Sequence, residues 1–397
     1  MPALRIACAA ALLGLPLVST VAPPPGWAAV SDTYRGLVER AGIVGSSLMV
    51  VRGGSVLGHV EVGLQDRDAG RPVDADTIYH WASITKTFTG IAIMQLRDRG
   101  KLSLDDPVVN YVPELREVHD PFGDIAAVKI RHLMSHSAGF RAATWPWGGD
   151  QPWHPFEPTR WEQLVAMMPY TTLLFAPGTD YSYSNPGVIF LGRIIETLSG
   201  DDYEVYVQKN ILMPLGMSHT FFDRAPYTLR THRSHSYYRT PEGLREAPFD
   251  FDTGITVSNG GLNAPFPDMA KYAAFLIGDP KHPEYDAVLK RSSLEEMWTP
   301  QIRAKAGEGA SGTDSRAALS FFVERYGDVT LVGHSGDQNG FISHLYLHPP
   351  TRTAWIVSFN TDAASSDGRP GTRDVDAAVR DAIIRELLSP AGSGGVK

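Results

Sequence analysis

Apolar and polar residues alternate with a period near two at both ends of this chain and recur at helical spacing between them. Residues 44–52 and 55–65 are β-rich runs separated by Gly53-Gly54. Two glycines supply the positive φ angles of a tight turn, so the pair predicts a hairpin. Ahead of it, 32–41 reads as a helix with Ser31 as N-cap. Residues 85–99 place Phe88, Ile91, Ile93, Met94 and Leu96 at helical spacing, and Gly100 ends the run. The stretch 102–250 is turn-rich and aromatic, with helical segments near 130–135, 161–168, 187–198 and 203–211. Residues 268–277 form another amphipathic helix. Strands return at 318–325, 329–333, 341–348 and 354–360, and a last helix covers about 374–388.

Hairpin-linked strands favour an antiparallel sheet. The pattern therefore predicts an α+β fold, in which N- and C-terminal strands share one antiparallel sheet flanked by helices. The mostly helical middle is inserted as a second lobe. The expected sheet lobe is 32–82 with 255–388, the helical lobe is 83–254, and a cleft between lobes is the expected place for a site.

Composition narrows the function. With 43% hydrophobic and 20% charged residues, the 397-residue chain has the balance of a water-soluble protein. The formal charge of −8, with no Lys/Arg run, argues against a nucleic-acid partner. Arg5 precedes an uncharged apolar stretch, 6–22, then three prolines and Ala28-Ala29. A basic start, an apolar centre and small residues at the end describe a secretory signal peptide over 1–28, cut after Ala28, and hence a secreted or periplasmic protein. No other apolar run is long enough to span a bilayer. Residues 389–397 read as a flexible Gly/Ser tail. The single cysteine, Cys8, falls in the leader; it excludes a disulfide framework and a cysteine-based zinc site.

Three short patterns carry candidate chemistry. Ser83-Ile84-Thr85-Lys86 opens the helix 85–99, and its i, i+3 spacing puts hydroxyl and amine on one face. Serine is a weak nucleophile until a base takes its proton, and lysine serves as that base only when burial lowers its pKa. None of the other eight lysines has a serine three positions before it. The second pattern, Tyr183-Ser184-Asn185, opens a helix from a tight turn. By itself it also fits plain capping, with Asn185 as N-cap and Tyr183 in the core. The third, His334-Ser335-Gly336, lies where the strand 329–333 leaves the sheet, and by itself it also fits a structural histidine.

In this order the three resemble the S-x-x-K, Y-x-N and K-T-G elements of serine β-lactamases and penicillin-binding proteins, especially the class C-like branch with its esterases and D-amino-acid peptidases. Supporting segments include 81–83, 100–107, 130–136, Pro177-Gly178 and 260–262, so the resemblance covers about 32–388. It implies a Ser83 nucleophile that becomes acylated, with Lys86 helping to remove and orient its proton. Tyr183 would be general base and then acid, given neighbouring positive charge that depresses its pKa. Asn185 would bond the substrate amide or acyl side chain. The backbone N–H groups of Ser83 and Asp337 would form an oxyanion hole, and His334, Ser335 and Gly336 would line the substrate. Whether Tyr183 or Lys86 takes the serine proton stays open, since the two titrate as a pair.

One departure matters. His334 stands where the family has lysine and replaces a permanent cation with a group that is mostly neutral at pH 7. That weakens recognition of the carboxylate of a β-lactam or D-Ala-D-Ala terminus. The resemblance therefore favours a small ester or D-amino-acid peptide over a β-lactam as acyl substrate, with activity following His334 protonation. The alternative is a slowly acylated or inactive peptidoglycan- or penicillin-binding protein. Other patterns fall away. His132 and His136 have zinc-compatible spacing but no adjacent glutamate, and read as a structural helix end. Residues 333–337 approach a nucleophile elbow but lack its last glycine. His232 and His235 read as solvated surface. Trp145, Trp147, Trp153 and Trp161 read as core or as an apolar cleft wall. No glycine-rich phosphate loop follows a strand, so neither metal nor cofactor is expected.

Overall fold

The computed structural model describes residues 19–144, 158–305, 314–366 and 368–388. Its main sheet holds β1 (Gly45–Arg52), β2 (Ser55–Asp66), β3 (Asp314–Ala317), β4 (Phe322–Tyr326), β5 (Val329–Gln338), β6 (Phe341–His348) and β7 (Thr353–Phe359). The spatial order is β2-β1-β7-β6-β5-β4-β3, antiparallel throughout. Two-residue strands, Ser19–Thr20 and Ile302–Arg303, add to its edges. The expected joining of the chain's two ends is the β1–β7 pairing, from Ser46 opposite Phe359 to Arg52 opposite Thr353. Gly53 and Gly54, at φ 52° and 81°, turn β1 into β2 as the sequence predicts.

Both faces of the sheet are covered, and the strand period of two sorts the side chains. Leu48, Val50, Trp355, Val357 and Phe359 meet α1 (Trp27–Ala41) and, near the C-terminus, α5 (Thr372–Ile383). Met49, Val51, Ala354 and Ile356 face the other way, towards α4 (Phe266–Ile277). Beyond α4 lie α2 (Thr85–Asp98) and α3 (Asn185–Ser199). Every residue of α2 from Thr85 to Leu96 is buried, so this helix runs through the core with its threonines satisfied. Thr87 and Thr89 bond the hydroxyls of Tyr272 and Tyr203 at 2.7 and 2.8 Å. Among the described residues no helix is long and apolar enough to cross a membrane.

Three boundaries differ from expectation. Helix α1 starts at Trp27, because Gly26 turns the chain in the left-handed region (φ 90°) and Trp27 packs on Gly58. A Cβ at Gly58 would sit 2.2 Å from the indole, so only glycine admits it. Ser31 is consequently inside the helix. The expected strand 318–325 is interrupted, since Ser320 adopts a left-handed conformation (φ 62°) in the turn between β3 and β4. Finally, β5 does not end at Gly333 but runs on to Gln338, so the third motif lies within the sheet. Cys8, Trp145, Trp147, Trp153 and the tail 389–397 lie outside the described residues.

Candidate active site

Ser83 sits in the single 3₁₀ turn Ala82–Ile84 that leads into α2. The turn is held from behind. Trp81 donates its backbone N–H to Leu262 O at 2.8 Å and its indole N–H to Ala264 O at 2.9 Å. Ala82 adopts φ 47°, a conformation that costs a non-glycine residue energy and is sustained by this anchoring. One helical turn on, Lys86 reaches back. Its Nζ lies 3.0 Å from Ser83 Oγ and 2.9 Å from Asn259 O. The Lys86 side chain is fully enclosed, and burial drives its pKa well below the usual lysine value. Nζ donates to the Asn259 carbonyl, and because burial lowers its pKa its lone pair becomes available to take the serine proton.

Tyr183 precedes α3, and its hydroxyl bonds the side chain of Ser83. Its ring lies under Lys86 Nζ, 4.9 Å from the centroid. The expected depression of its pKa does not occur: burial raises it, with the Ser83 hydrogen bond opposing. The physical reason is that Tyr183 is itself enclosed, and burial penalises its charged form. Ser184, not Asn185, caps α3, with Oγ accepting the Gly187 N–H at 3.1 Å. Asn185 is thereby left with its side-chain carbonyl buried and unpartnered among the described residues.

The third motif borders the turn of Ser83. A Cβ on Gly336 would come 2.3 Å from Trp81 O and 2.4 Å from Ser343 Oγ, so the strand meets the turn backbone to backbone. Asn339 and Gly340, both at positive φ, make a two-residue turn between β5 and β6. Gln338 and Phe341 are then the hydrogen-bonded pair next to the turn, and Asp337, one residue back, points its N–H out of that ladder. β4 pairs with β5 only as far as Gly333. Beyond that point the turn carrying Ser83 packs beside β5, which leaves the Asp337 N–H on its side.

His334 lies behind the cleft wall, its ring 6.2 Å from that of Tyr183 and 5.2 Å from that of Phe322. Its Nδ1 donates to Ser335 O at 2.6 Å. Burial, and secondarily Lys86, push its pKa down to about 3. His334 is therefore uncharged across the ordinary pH range, and the expected dependence on its protonation is removed.

Ser83, Tyr183, Asn185, Ser335, Gly336 and Asp337 all line one cleft of about 520 Å³. Lys86 and His334 stand directly behind them. Two contributors escaped the sequence reading. The backbone of Asn259 holds Lys86, and no side-chain pattern signals a carbonyl. His136, read as a helix end, clasps the residues on both sides of Tyr183: its carbonyl accepts the Ser182 N–H at 3.0 Å and its Nδ1 the Ser184 N–H at 3.1 Å. Its ring packs on Tyr183 at 4.4 Å. His132 serves elsewhere, accepting the Lys129 N–H, so the two histidines do not share a ligand. Trp161 packs on Phe190 and donates to Glu114, away from the cleft.

Comparison with known proteins places this arrangement. The family model described as Beta-lactamase matches residues 30–380. Protein flp of Staphylococcus aureus is 25% identical over 326 residues, covering 82% of this chain and 61% of that protein. A beta-lactamase of Pseudomonas fluorescens is 28% identical over 236 residues, 59% of this chain and 62% of its own. The chain spans less than two thirds of the length of these curated relatives. The octameric penicillin-binding protein homologue from Pyrococcus abyssi superposes with a TM-score of 0.74 at 28% identity, covering 90% of this chain and 77% of that one. The D-amino acid amidase of Ochrobactrum anthropi SV3, solved with L-phenylalanine amide, gives 0.74 at 22% identity, covering 91% and 99%. A class C beta-lactamase gives 0.73 at 19%, covering 91% and 97%. At those last identities the likeness is one of fold.

Proposed function

The chain belongs to the beta-lactamase family, and from that premise we propose that it is a serine hydrolase forming an acyl-enzyme at Ser83. The observation that carries this reading is the buried Lys86 amine, 3.0 Å from Ser83 Oγ and 2.9 Å from Asn259 O, with burial lowering its pKa. Ser83 Oγ attacks the acyl carbon of an ester or amide while its proton passes to the Lys86 lone pair. The charge that develops on the acyl oxygen meets the N–H groups of Ser83 and Asp337. Tyr183 hands its hydroxyl proton to the departing group and recovers one from Lys86. Water, activated by the same pair, then releases the carboxylic acid and restores Ser83.

Among acyl substrates, the neutral His334 favours small esters or D-amino-acid amides over β-lactams, because the cleft offers no lysine cation in that position. Asn185, with its buried free carbonyl, suits the N–H of an acyl-side amide. We also propose export by the N-terminal leader 1–28, with the cut after Ala28. The intact mass of the protein recovered from outside the cytoplasm tests that boundary.

Incubation with a chromogenic ester tests the chemistry. A burst equal to the enzyme concentration and a matching mass increase on the peptide containing Ser83 are expected, and both vanish in Ser83→Ala. A variant that turns over the ester as fast as the parent refutes the assignment. Acylation without turnover would instead support the slowly acylated binding protein.

A further inference from the structure

The same cleft is also walled by β6 and the first turns of α5, through Ser343, His344, Arg373 and Asp376. Asp376 is nine-tenths buried there. Its Oδ2 accepts two hydrogen bonds, from His344 Nδ1 and from the Tyr346 hydroxyl, each at 2.9 Å. The two donor rings stack at 3.6 Å, and Tyr346 in turn stacks on Trp355 at 4.9 Å. The carboxylate is thus locked in orientation from one side only. Its Oδ1 is buried and accepts nothing among the described residues. About an eighth of the side chain, 12%, stays open to the surface that lines the cleft.

The cations around it are all engaged elsewhere. Arg373 lies between Asp337 and Asp362. Arg380, one turn further along α5, stacks over the Tyr326 ring at 3.9 Å and pairs with Asp381 at 2.8 Å. Lys86 stands behind Ser83, held by Ser83 and Asn259, and His334 is neutral. No lysine or arginine among the described residues comes within ion-pair distance of Asp376. Among the described residues His344 is the only basic side chain paired with this carboxylate, and its one bare oxygen leaves part of the cost of burial for a partner from outside to offset.

We propose that Asp376, oriented by His344 and Tyr346, forms a subsite for a positively charged amine on the departing group of the substrate, and that a carboxylate in that position is rejected. The inference rests on the serine-hydrolase reading and adds the substrate's charge to it. Two negative groups brought together here repel with no lysine in the third motif to offset them, whereas a cation at the open edge of the Asp376 side chain is attracted.

Three thioesters of acetic acid with matched departing groups test this: 2-(trimethylammonio)ethanethiol, 2-hydroxyethanethiol and 3-mercaptopropionate, with thiol release followed by a disulfide dye. Each kcat/KM is divided by that thioester's own hydroxide-catalysed rate, because the three thiols differ in acidity; the expected order of the quotients is cationic, then neutral, then anionic, with about tenfold between first and last. In Asp376→Asn the ratio of cationic to neutral falls to near one. Equal quotients for the three, or the largest from the carboxylate thioester, overturn the inference from the parent protein alone, so a poorly folding variant does not shield it. Release that continues undiminished in Ser83→Ala for all three refutes the hydrolase reading instead.

Discussion

Replacing Lys86 with methionine separates what the buried amine does for chemistry from what it costs the fold. Met fills similar volume without a polar head, so the cavity stays occupied. Two losses follow from the geometry: Asn259 O and the Ser83 hydroxyl each lose a partner, at about 1–3 kcal/mol for a buried unsatisfied group. Against this stands a pH-dependent gain. In the unfolded chain Lys86 holds its proton up to about pH 10.4, whereas in the folded protein burial lowers that limit well below. Between the two limits unfolding takes up a proton. The parent is fully stable at this site only above the unfolded value, and it loses stability as pH falls towards the folded one. One proton is worth about 1.4 kcal/mol per pH unit. From pH 7 to pH 9 the parent should therefore gain up to about 3 kcal/mol on Lys86→Met. Urea unfolding followed by tryptophan fluorescence, with equal m-values, reads this difference at pH 7, 8 and 9. Acylation in the variant should fall about 100- to 10,000-fold, the usual share of a general base. Parallel stability curves for the two proteins would show that Lys86 keeps its proton when folded, and the lone-pair argument would fail.

The buried histidines predict acid sensitivity. His59 and His80 are pushed down to about 4 and His334 to about 3, by burial, and His136 is lowered as well. All four are neutral in the fold and charged in the unfolded chain below about pH 6.5, so stability should drop steeply between pH 6.5 and 4. A melting temperature that is flat over that window would contradict the assignment. Gly336→Ala should force the strand away from Trp81 and Ser343, costing about 1–3 kcal/mol in thermal unfolding and at least about tenfold in kcat. Unchanged kinetics would mean the strand and the Ser83 turn are not in register during the reaction. His136→Phe keeps a ring on Tyr183 but removes the acceptor for the Ser184 N–H. We expect kcat to fall about tenfold with KM nearly constant, and a change confined to KM would argue against it.

Much of this site was legible because its chemistry depends on local spacing. Ser83 and Lys86 lie three residues apart on one helix face, and the Gly53-Gly54 turn declares the first hairpin. What escaped depends on contacts between distant parts. Asn259 acts through a carbonyl that every residue possesses. His136 matters because the loop it closes returns to it 46 to 48 residues later, at Ser182 and Ser184. Asp376, His344 and Tyr346 come together only when α5 packs on β6. The extension of β5 through the third motif was hidden because Ser335, Gly336 and Asp337 have low strand propensity, and pairing with β6 overrides it. The direction of the Tyr183 shift was missed because it depends on how deeply the ring is enclosed, and only the fold settles that.

The pairing of β1 with β7 also has a consequence for the order of events in assembly. Ser46 waits for Phe359, so the centre of the sheet cannot zip until nearly the whole polypeptide is available. Closing a loop of some three hundred residues makes such a contact a late event, and a slow one compared with helix formation. A nascent chain that is still missing its last strands has β1 and β2 as a bare ribbon without the partner that buries it. On the proposal that a leader carries this chain across a bilayer unfolded, the delay is an advantage, because the topology itself postpones commitment until the far end has emerged.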